Sequence, residues 1–318
     1  MGKLAFIFPG QASQYPGMGR ELAEKFAVAR ATFEEADAAA GFNLSKMCFE
    51  GSEEDLKQTA NTQPCMLAAS VAALRVVSEQ GLKPDFVAGH SLGEYSALVA
   101  SGALQFKDAV QLTRQRGTFM QQAVPAGEGA MAAILGMSHA TVSDICKRAA
   151  NGHVCSAANL NSPEQTVISG HAEAVKRAVE MASQNGAKRA VVLQVSAPFH
   201  CALMQPAQTR MEPLLRETKF LDLQVPVVTN ADAEITSKGD EARDALVRQI
   251  TLPVRWEDSI HELIEQGVDS FVEVGPGRVL SGLLRQINRS VHSFNVEDEA
   301  SLRATQTKLG QLATETVE

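Results

Sequence analysis

The apolar positions of the chain fall into short buried-strand patterns that alternate with longer helical ones. The run LAFIF at residues 4–8 ends in the Gly-rich segment PGQASQYPGMG, which is typical of a buried strand followed by a turn. Apolar residues then recur at helical spacing from Leu22 to Phe33. A second helix is predicted from near Pro64 up to Gly81, where the glycine ends it.

The central part of the chain predicts a separate small unit. From about Ala130 to Val195 the pattern gives strand, helix, strand, strand, helix, strand, which is the ferredoxin-like βαββαβ order. Turn-forming segments flank this unit on both sides, so we expect it to be inserted into a larger α/β domain. The predicted large domain comprises residues 1–126 and 197–318, and the predicted small domain comprises residues 127–196.

After the small unit, helices and strands alternate again. Strands are predicted at VPVVTN and SFVEVGPG, with helices up to about Ile250, around Ile260 and from Leu280 to Ile287. Such alternation favours a parallel or mixed sheet that helices cover on both faces, and hence an α/β fold. The final segment ATETVE is expected to fray.

The composition is that of a globular enzyme and argues against several other classes. Among 318 residues, 37 are acidic and 29 basic, and the net charge of −8 argues against nucleic acid as a partner, because phosphate binding needs clustered Lys and Arg. The longest apolar runs are too short to cross a membrane, and the first residues do not show the apolar h-region expected of a signal peptide. The five cysteines are scattered without a CxxC pair, so we expect reduced thiols in the cytoplasm and no zinc site.

The segment GHSLG at residues 89–93 carries the clearest chemical signal. It fits the G-x-S-x-G nucleophile elbow, in which Ser91 lies on a strained turn between a strand and a helix. Small neighbours at the glycine positions permit that turn, and the start of the helix places the N–H of Leu92 near a developing oxyanion. The flanking strand and helix patterns match this requirement. A plain Gly-rich turn has the same string, so the motif alone leaves that alternative open.

Seven histidines are available as the base that a serine nucleophile needs at neutral pH. His90 is adjacent to Ser91 but should point away from it at the end of a strand, which favours a structural role. His200 lies in SAPFH, where the chain re-enters the large domain, and clefts form at such junctions, so it is a candidate base. The other histidines are expected to be solvated, namely His139, His153, His171, His261 and His292.

Arg116 is the third informative residue. In the predicted helix FKDAVQLTRQRGTFM it lies on the stripe of apolar and small residues, whereas Arg114 points elsewhere. A guanidinium on an inward face is costly unless an anion meets it. One explanation is an internal salt bridge to an Asp or Glu, and the other is a bidentate clamp for a substrate carboxylate. The residues alone leave both open.

Several segments, taken in order, resemble a known family. FPGQASQYPGMG, GHSLGEYSALVASG, the QRG that contains Arg116, NSPEQTVISG, APFH and QITLPVRW are similar to bacterial malonyl-CoA:acyl carrier protein transacylases. The resemblance extends from Lys3 to about Asn288, and the set is far more specific than any one motif. It implies an α/β-hydrolase-like large domain with an inserted ferredoxin-like small domain.

The resemblance also implies a role for each site residue. Ser91 would be the nucleophile, His200 the general base and Arg116 the ligand of the substrate carboxylate. The family uses no acidic third member, and the side-chain carbonyl of Gln249 would instead accept a hydrogen bond from the ring of His200. Gln11, in the first loop, would supply a second oxyanion-hole N–H beside that of the residue after the serine.

The implied activity is transfer of a malonyl group from malonyl-CoA to the phosphopantetheine thiol of holo-acyl carrier protein, through an ester on Ser91. Both thiol compounds enter as substrates, and the resemblance implies no metal and no permanently bound cofactor. A freestanding chain favours use in fatty acid synthesis over polyketide synthesis. Acyl carrier proteins are acidic, so a local basic patch is expected to bind them. Candidates for this patch are Lys188, Arg189, Arg278, Arg285 and Arg289.

Two other functions remain open at this point. A thioesterase or other hydrolase can use the same elbow. That class requires an Asp or Glu of the catalytic triad between the serine and the histidine in chain order, and no acidic residue between Ser91 and His200 is an obvious candidate. A non-catalytic subunit that only binds the carrier protein is the other, and the intact serine and histidine argue against it.

Overall fold

The computed structural model describes residues 2–315, so Met1 and the last three residues of ATETVE lie outside the described part. The strands are β1 Lys3–Phe8, β2 Phe86–Gly89, β3 Gly129–Leu135, β4 Cys155–Ser162, β5 Gln165–His171, β6 Arg189–Val192, β7 Val227–Val228, β8 Ile235–Thr236, β9 Val268–Val274 and β10 His292–Val296. The helices are α1 Arg20–Lys25, α2 Ala27–Ala40, α3 Leu44–Glu50, α4 Glu53–Lys57, α5 Thr59–Glu79, α6 Gly93–Ala100, α7 Phe106–Gln122, α8 His139–Ala150, α9 Ala172–Gln184, α10 Gln205–Glu217, α11 Gly239–Gln249, α12 Trp256–Glu265, α13 Val279–Ile287 and α14 Glu299–Glu315.

The larger sheet has the strand order β10-β9-β1-β2-β7-β8 and is parallel except for β8, which pairs antiparallel with β7. Its central strand β1 is buried on both faces because its alternate side chains enter two different cores. Leu4, Phe6 and Phe8 belong to one core, and Ala5 and Ile7 belong to the other. The predicted mixed sheet with two covered faces is therefore confirmed.

The smaller sheet is antiparallel, with the strand order β4-β5-β3-β6. The chain order β3-α8-β4-β5-α9-β6 is the βαββαβ unit that the sequence predicts. Its strands lie between Gly129 and Val192. The two-domain α/β fold is thus confirmed, while the domain limits at 126/127 and 196/197 stay a prediction.

Two predicted helices differ from the observed ones. The helical pattern around Phe26 is interrupted, because Phe26 is extended (φ −120°, ψ 122°) and separates α1 from α2. Helix α5 begins at Thr59 and not near Pro64. A proline inside a helix leaves one carbonyl without its N–H partner. That carbonyl belongs to Ala60, and Arg114 Nη1 donates to it at 2.6 Å, which explains how the helix tolerates the proline.

Several observed elements have no recognisable pattern in the sequence. Helices α3 and α4 are short, and β8 has only two residues, so their periodic patterns are too brief to recognise. Strand β10 and helix α14 follow Asn288 and complete the edge of the larger sheet.

The smaller sheet is joined to the large domain along the outer edge of β4. The N–H of Leu160 donates to the carbonyl of Val254 (2.9 Å), and the N–H of Val254 donates to the carbonyl of Ala158 (2.8 Å). His139 adds a side-chain contact, since its Nε2 lies 2.8 Å from Glu257 Oε2 in α12. The expectation that His139 is solvated was wrong, because the start of α8 faces α12 across this junction.

Glu273, in β9, is a buried carboxyl group that holds the start of α13. Its carboxylate accepts hydrogen bonds from Leu280 N–H (3.0 Å), Ser281 N–H (2.7 Å) and Ser281 Oγ (2.7 Å). Burial raises the pKa of Glu273 to about 7, against the opposite effect of these hydrogen bonds.

Glu273→Gln is expected to gain stability relative to the unchanged protein as the pH rises from 5 to 8. Folding raises the pKa of Glu273, so its stabilising contribution is complete below the unfolded pKa and is lost as the pH rises through about 7. The glutamine does not titrate, and carboxyl groups common to both proteins cancel. Urea unfolding at both pH values should show the difference in unfolding free energy changing by about 2 kcal/mol. A difference that is independent of pH would contradict this assignment.

Candidate active site

Ser91 lies between β2 and α6, at the carboxyl end of the parallel strands. Its backbone is in the left-handed region (φ 52°), which is unusual for a residue with a Cβ. Two glycines permit the turn: a Cβ on Gly89 would lie 2.0 Å from the carbonyl carbon of Gly93, and a Cβ on Gly93 would lie 2.1 Å from Phe8 O. The strand–turn–helix setting that the sequence predicts around Ser91 is therefore present.

Asn230, just beyond β7, holds this turn from the other side. Its Oδ1 accepts from the N–H of Ser91 at 2.6 Å, and its Nδ2 donates to the carbonyl of Gly89 at 2.7 Å. These two bonds keep the strained backbone from relaxing. Because the N–H of Ser91 is directed at Asn230, the donors for an oxyanion must come from other residues.

His200 is brought next to Ser91 where the chain re-enters the large domain. Its Nε2 lies 2.7 Å from Ser91 Oγ, and the residue is only 3% exposed. Its Nδ1 lies 2.8 Å from the main-chain oxygen of Gln249, which only accepts, so Nδ1 carries the proton and Nε2 faces the serine with its lone pair. Burial, and secondly the charge of Arg116, lower the pKa of His200 to about 3, so the ring is neutral at pH 7.

The contact between Gln249 and His200 corrects one detail of the expectation. The residue is the expected one, but its main-chain carbonyl, and not its side chain, accepts from the ring. The side-chain Oε1 already accepts from Arg116 Nη2 at 2.8 Å, and Nε2 donates to Ser91 O (3.0 Å) and Glu94 Oε2 (2.7 Å). Gln249 therefore contacts the main chain of Ser91, the ring of His200 and the guanidinium of Arg116.

Arg116 lies on the inner face of α7 and is 1% exposed. Its Nη1 donates to Gln63 Oε1 at 2.7 Å, and its Nη2 lies 3.1 Å from Ser91 Oγ. Within residues 2–315 no carboxylate pairs directly with this guanidinium, and its Nε has no hydrogen-bond partner. The described residues therefore do not form the internal salt bridge that the sequence left open. The role of Arg116 as a carboxylate clamp stays a prediction.

Gln11 and Leu92 lie in the segments that meet at the elbow. Leu92 is the N-cap residue of α6, so its N–H belongs to the helix N-terminus. The loop of Gln11 packs directly on the elbow, since a Cβ on Gly10 would lie 2.4 Å from His90 O. The side chain of Gln11 is fixed by Thr59, whose Oγ1 donates to Oε1 at 2.6 Å. The oxyanion-hole roles of Gln11 and Leu92 stay predictions.

A cleft of about 310 Å³ lies beside these residues, between the two domains. Gln11, His90 and Phe199 line it from the large domain, and Asn161 belongs to the small domain. His90 Nε2 lies 2.9 Å from Asn161 Oδ1, and its ring lies 5.5 Å from that of Trp256, which agrees with a structural role. Ser91 and His200 do not line this cleft themselves, but their chain neighbours His90 and Phe199 do, so the cleft leads toward the serine–histidine pair and can take an extended substrate arm.

Three residues of the site were not foreseen as such, namely Asn230, Glu94 and Gln63. Each is a buried polar residue with hydrogen bonds to Ser91, Gln249 or Arg116. Glu94 stands within the GHSLGEYSALVASG segment and is the one charged residue of α6, which was a usable signal. The other two carry no local signal.

Residues 2–315 lack two features. They contain no group of three or more His, Cys, Asp or Glu side chains that could hold a metal ion. Over the same residues, no helix is both long and apolar enough to pass through a membrane.

Ser91→Gly is expected to be more stable than Ser91→Ala, by about 1 kcal/mol. Both changes remove the hydroxyl, but only alanine keeps a Cβ in the left-handed conformation. Thermal or urea unfolding of the two variants measures the difference. Ser96, inside α6, is the matched control, because there glycine should be the less stable of the two. If alanine is the more stable replacement at both positions, the backbone at Ser91 is not strained.

Comparison with known proteins agrees with the geometry of the site. A family model described as "Acyl transferase domain" matches residues 5–315. A malonyl CoA-acyl carrier protein transacylase of Bacillus subtilis (strain 168) is 48% identical over 303 residues, which cover 95% of this chain and 96% of that protein.

Two solved structures extend the comparison. The crystal structure of an acyl carrier protein S-malonyltransferase from Vibrio cholerae is similar with a TM-score of 0.93 and 47% identity, covering 95% of this chain and 99% of that one. A malonyl-transacylase in complex with its type II PKS acyl-carrier protein has a TM-score of 0.92 and 46% identity, covering 94% and 97%.

The fold and a serine–histidine pair at an elbow are those of an acyl transferase, which is the class that the family model describes. Sequence identity near one half over almost the full length of the relatives identifies one family within that class. The chain belongs to the family of malonyl CoA-acyl carrier protein transacylases.

Proposed function

We propose that this acyltransferase moves a malonyl group from malonyl-CoA to the phosphopantetheine thiol of holo-acyl carrier protein, and so supplies malonyl-carrier protein for fatty acid synthesis. The observation that carries the proposal is the convergence of two groups on Ser91 Oγ. His200 Nε2 lies 2.7 Å from it and Arg116 Nη2 lies 3.1 Å from it. A base and a fixed cation at one hydroxyl suit a short acyl group that ends in a carboxylate.

In the first half-reaction, Ser91 Oγ attacks the thioester carbonyl of malonyl-CoA while its proton passes to His200 Nε2. The carbon–sulfur bond breaks, and the CoA thiolate takes the proton from His200 as it leaves. Arg116 holds the distal carboxylate throughout, because a malonyl ester on Ser91 places that carboxylate beside a guanidinium already in contact with the ester oxygen.

In the second half-reaction, the carrier's phosphopantetheine thiol attacks the malonyl ester. His200 accepts the thiol proton and returns it to Ser91 Oγ as the ester bond breaks, so the enzyme is restored. The N–H groups of Gln11 and Leu92 stabilise the oxyanion in both halves. Such donors contribute about 3 kcal/mol each to the transition state. The chain's residues are sufficient for each of these proton transfers.

The hydrolase alternative is not favoured. Its triad needs a carboxylate on the base, whereas the partner of His200 Nδ1 is the main-chain oxygen of Gln249. The relatives, moreover, bear the names of transacylases.

The carrier protein is proposed to dock on Arg285 and Arg289. Helix α13 lines the cleft through Val279 and Leu280, and these two arginines lie toward and just beyond its other end. They form no ion pair with any described residue, whereas Lys188 pairs with Glu164 and Arg278 with Glu297. Arg189 is also unpaired among these residues, but it lies apart from the other two, on β6 of the smaller sheet. Reversal of both charges should raise the KM for the carrier and leave malonyl loading unchanged. An unchanged KM would exclude this surface.

The proposed location of the protein is the cytoplasm. The five cysteines are free thiols, which suits a reducing compartment.

Intact-protein mass spectrometry after brief mixing with malonyl-CoA tests the proposal directly. One malonyl group should appear on Ser91 and should move to the carrier's thiol when holo-acyl carrier protein is added. The absence of an adduct, or release of free malonate at the same rate without any acceptor, would contradict transfer.

A further inference from the structure

Glu94 is a fully buried carboxyl group in the first turn of α6, and the proposed reaction gives it no role. Its Oε2 accepts from Gln249 Nε2 at 2.7 Å and from the N–H of Asn230 at 3.0 Å. Its Oε1 has no hydrogen-bond partner within residues 2–315. Burying a carboxyl group so incompletely satisfied is costly, which calls for a functional explanation.

The first consequence concerns the orientation of the Gln249 amide. Glu94 Oε2 is an acceptor, and the carbonyl of Ser91, which also meets Nε2, is another. The NH₂ end of the amide must therefore face these oxygens, and Oε1 must face the opposite way. There it accepts from Arg116 Nη2 at 2.8 Å, and a rotated amide would present donors to a guanidinium that has only donors.

The second consequence is electrostatic. Burial lowers the pKa of Arg116, and Glu94 is among the groups whose charge opposes that effect. The amide of Gln249 lies between the two charged groups, in contact with both. The counter-charge is thus close enough to stabilise the guanidinium, but it does not occupy the N–H groups that a substrate carboxylate needs.

We propose that Glu94 is a positioning residue for malonyl selection, which acts through the Gln249 amide to aim Arg116 at the acyl group on Ser91. This inference rests on the proposed function, because it takes the substrate carboxylate to be the ligand of Arg116. The transfer chemistry uses the side chains of Ser91 and His200 and the oxyanion N–H groups, whereas, among the described residues, the carboxyl group of Glu94 hydrogen-bonds only to Gln249 and Asn230. Glu94 therefore affects the choice of acyl group and not the transfer chemistry.

The test compares malonyl-CoA with acetyl-CoA in Glu94→Ala, Glu94→Asp and Glu94→Gln. Alanine removes the acceptor, and aspartate withdraws it by one methylene while keeping the charge. Both are expected to raise the KM for malonyl-CoA about 10- to 100-fold, with acetyl loading changed less than about threefold. Glutamine keeps an acceptor oxygen for both donors and loses only the charge, so it should restore most of the malonyl selection. The aspartate variant keeps the proposal testable if the alanine variant does not fold.

Two controls separate positioning from general damage. Glu273→Gln alters the other buried carboxyl group whose pKa is raised to about 7, and it should leave the malonyl-to-acetyl ratio unchanged. In an Arg116→Ala background, Glu94→Ala should have no further effect on that ratio, because the guanidinium that Glu94 positions is absent. Equal losses on both acyl groups, or failure of glutamine to restore selection, would overturn the inference.

The outcomes also distinguish this inference from the proposed function. If the unchanged enzyme loads no malonyl group, the proposed function is wrong. If it loads malonyl, and Arg116→Ala abolishes selection while Glu94→Ala does not, only the role of Glu94 is wrong.

Discussion

His200→Ala should slow malonyl loading on Ser91 by about 10³-fold, since the hydroxyl then has no base within reach. His200 Nε2, 2.7 Å from Ser91 Oγ, is the only ring nitrogen among the described residues that hydrogen-bonds to that oxygen. Rapid-quench mass spectrometry of the acyl-enzyme measures the rate. His153→Ala, which changes an exposed histidine of the small domain, is the control and should load normally. A loss of less than tenfold in His200→Ala would mean that another group accepts the proton.

The pH dependence gives an independent check on the same residue. Burial, and then Arg116, lower the pKa of His200 to about 3, so the neutral ring is present throughout the range above that value. Acetyl loading should therefore not fall between pH 8 and pH 5 through protonation of His200. A fall with a midpoint near 6.5, the ordinary histidine value, would show that the ring is more hydrated in solution.

Arg116→Ala should lower malonyl loading by about 100-fold or more while acetyl loading is kept or increased. The proposed clamp would lose two charge-assisted hydrogen bonds to the malonyl carboxylate, and such bonds contribute about 1.5–3 kcal/mol each. Acetyl-CoA has no carboxylate to lose. In addition, the charge of Arg116 is one cause of the low pKa of His200, so its removal makes that base stronger.

Arg114→Ala is the matched control for this experiment. Arg114 lies two residues away on α7 but donates to Ala60 O and Asn61 Oδ1, away from Ser91. Its removal should destabilise the start of α5 without changing the ratio of malonyl to acetyl loading. Equal losses on both acyl groups in Arg116→Ala would exclude the carboxylate clamp.

The sequence predicted those parts of the fold and site that depend on neighbours along the chain. The elbow at Ser91 needs only a strand, two glycines and a helix within one short segment, so its setting is readable. The inward position of Arg116 follows from the period of one helix. The break at Phe26 and the early start of α5 were missed, because tertiary contacts such as that of Arg114 with Ala60 outweigh local preference.

The rest of the site depends on residues far apart in sequence. Asn230 and Ser91 are separated by 139 positions, and nothing local to either predicts their hydrogen bond. The same limit explains Gln249: the resemblance pointed to the residue, but which of its oxygens meets His200 is decided by Arg116, which already occupies the side-chain carbonyl. Periodicity assigns faces to elements, whereas competition among buried donors and acceptors appears only in three dimensions.

The left-handed backbone at both Ser91 (φ 52°) and His200 (φ 55°) has a consequence for engineering. At these two positions glycine relieves strain, so the fold and the reaction favour different residues. A library of variants sorted only by heat resistance would enrich replacements at both positions and would collect inactive proteins. Selection of hardier variants of this enzyme must therefore include a catalytic readout from the first round.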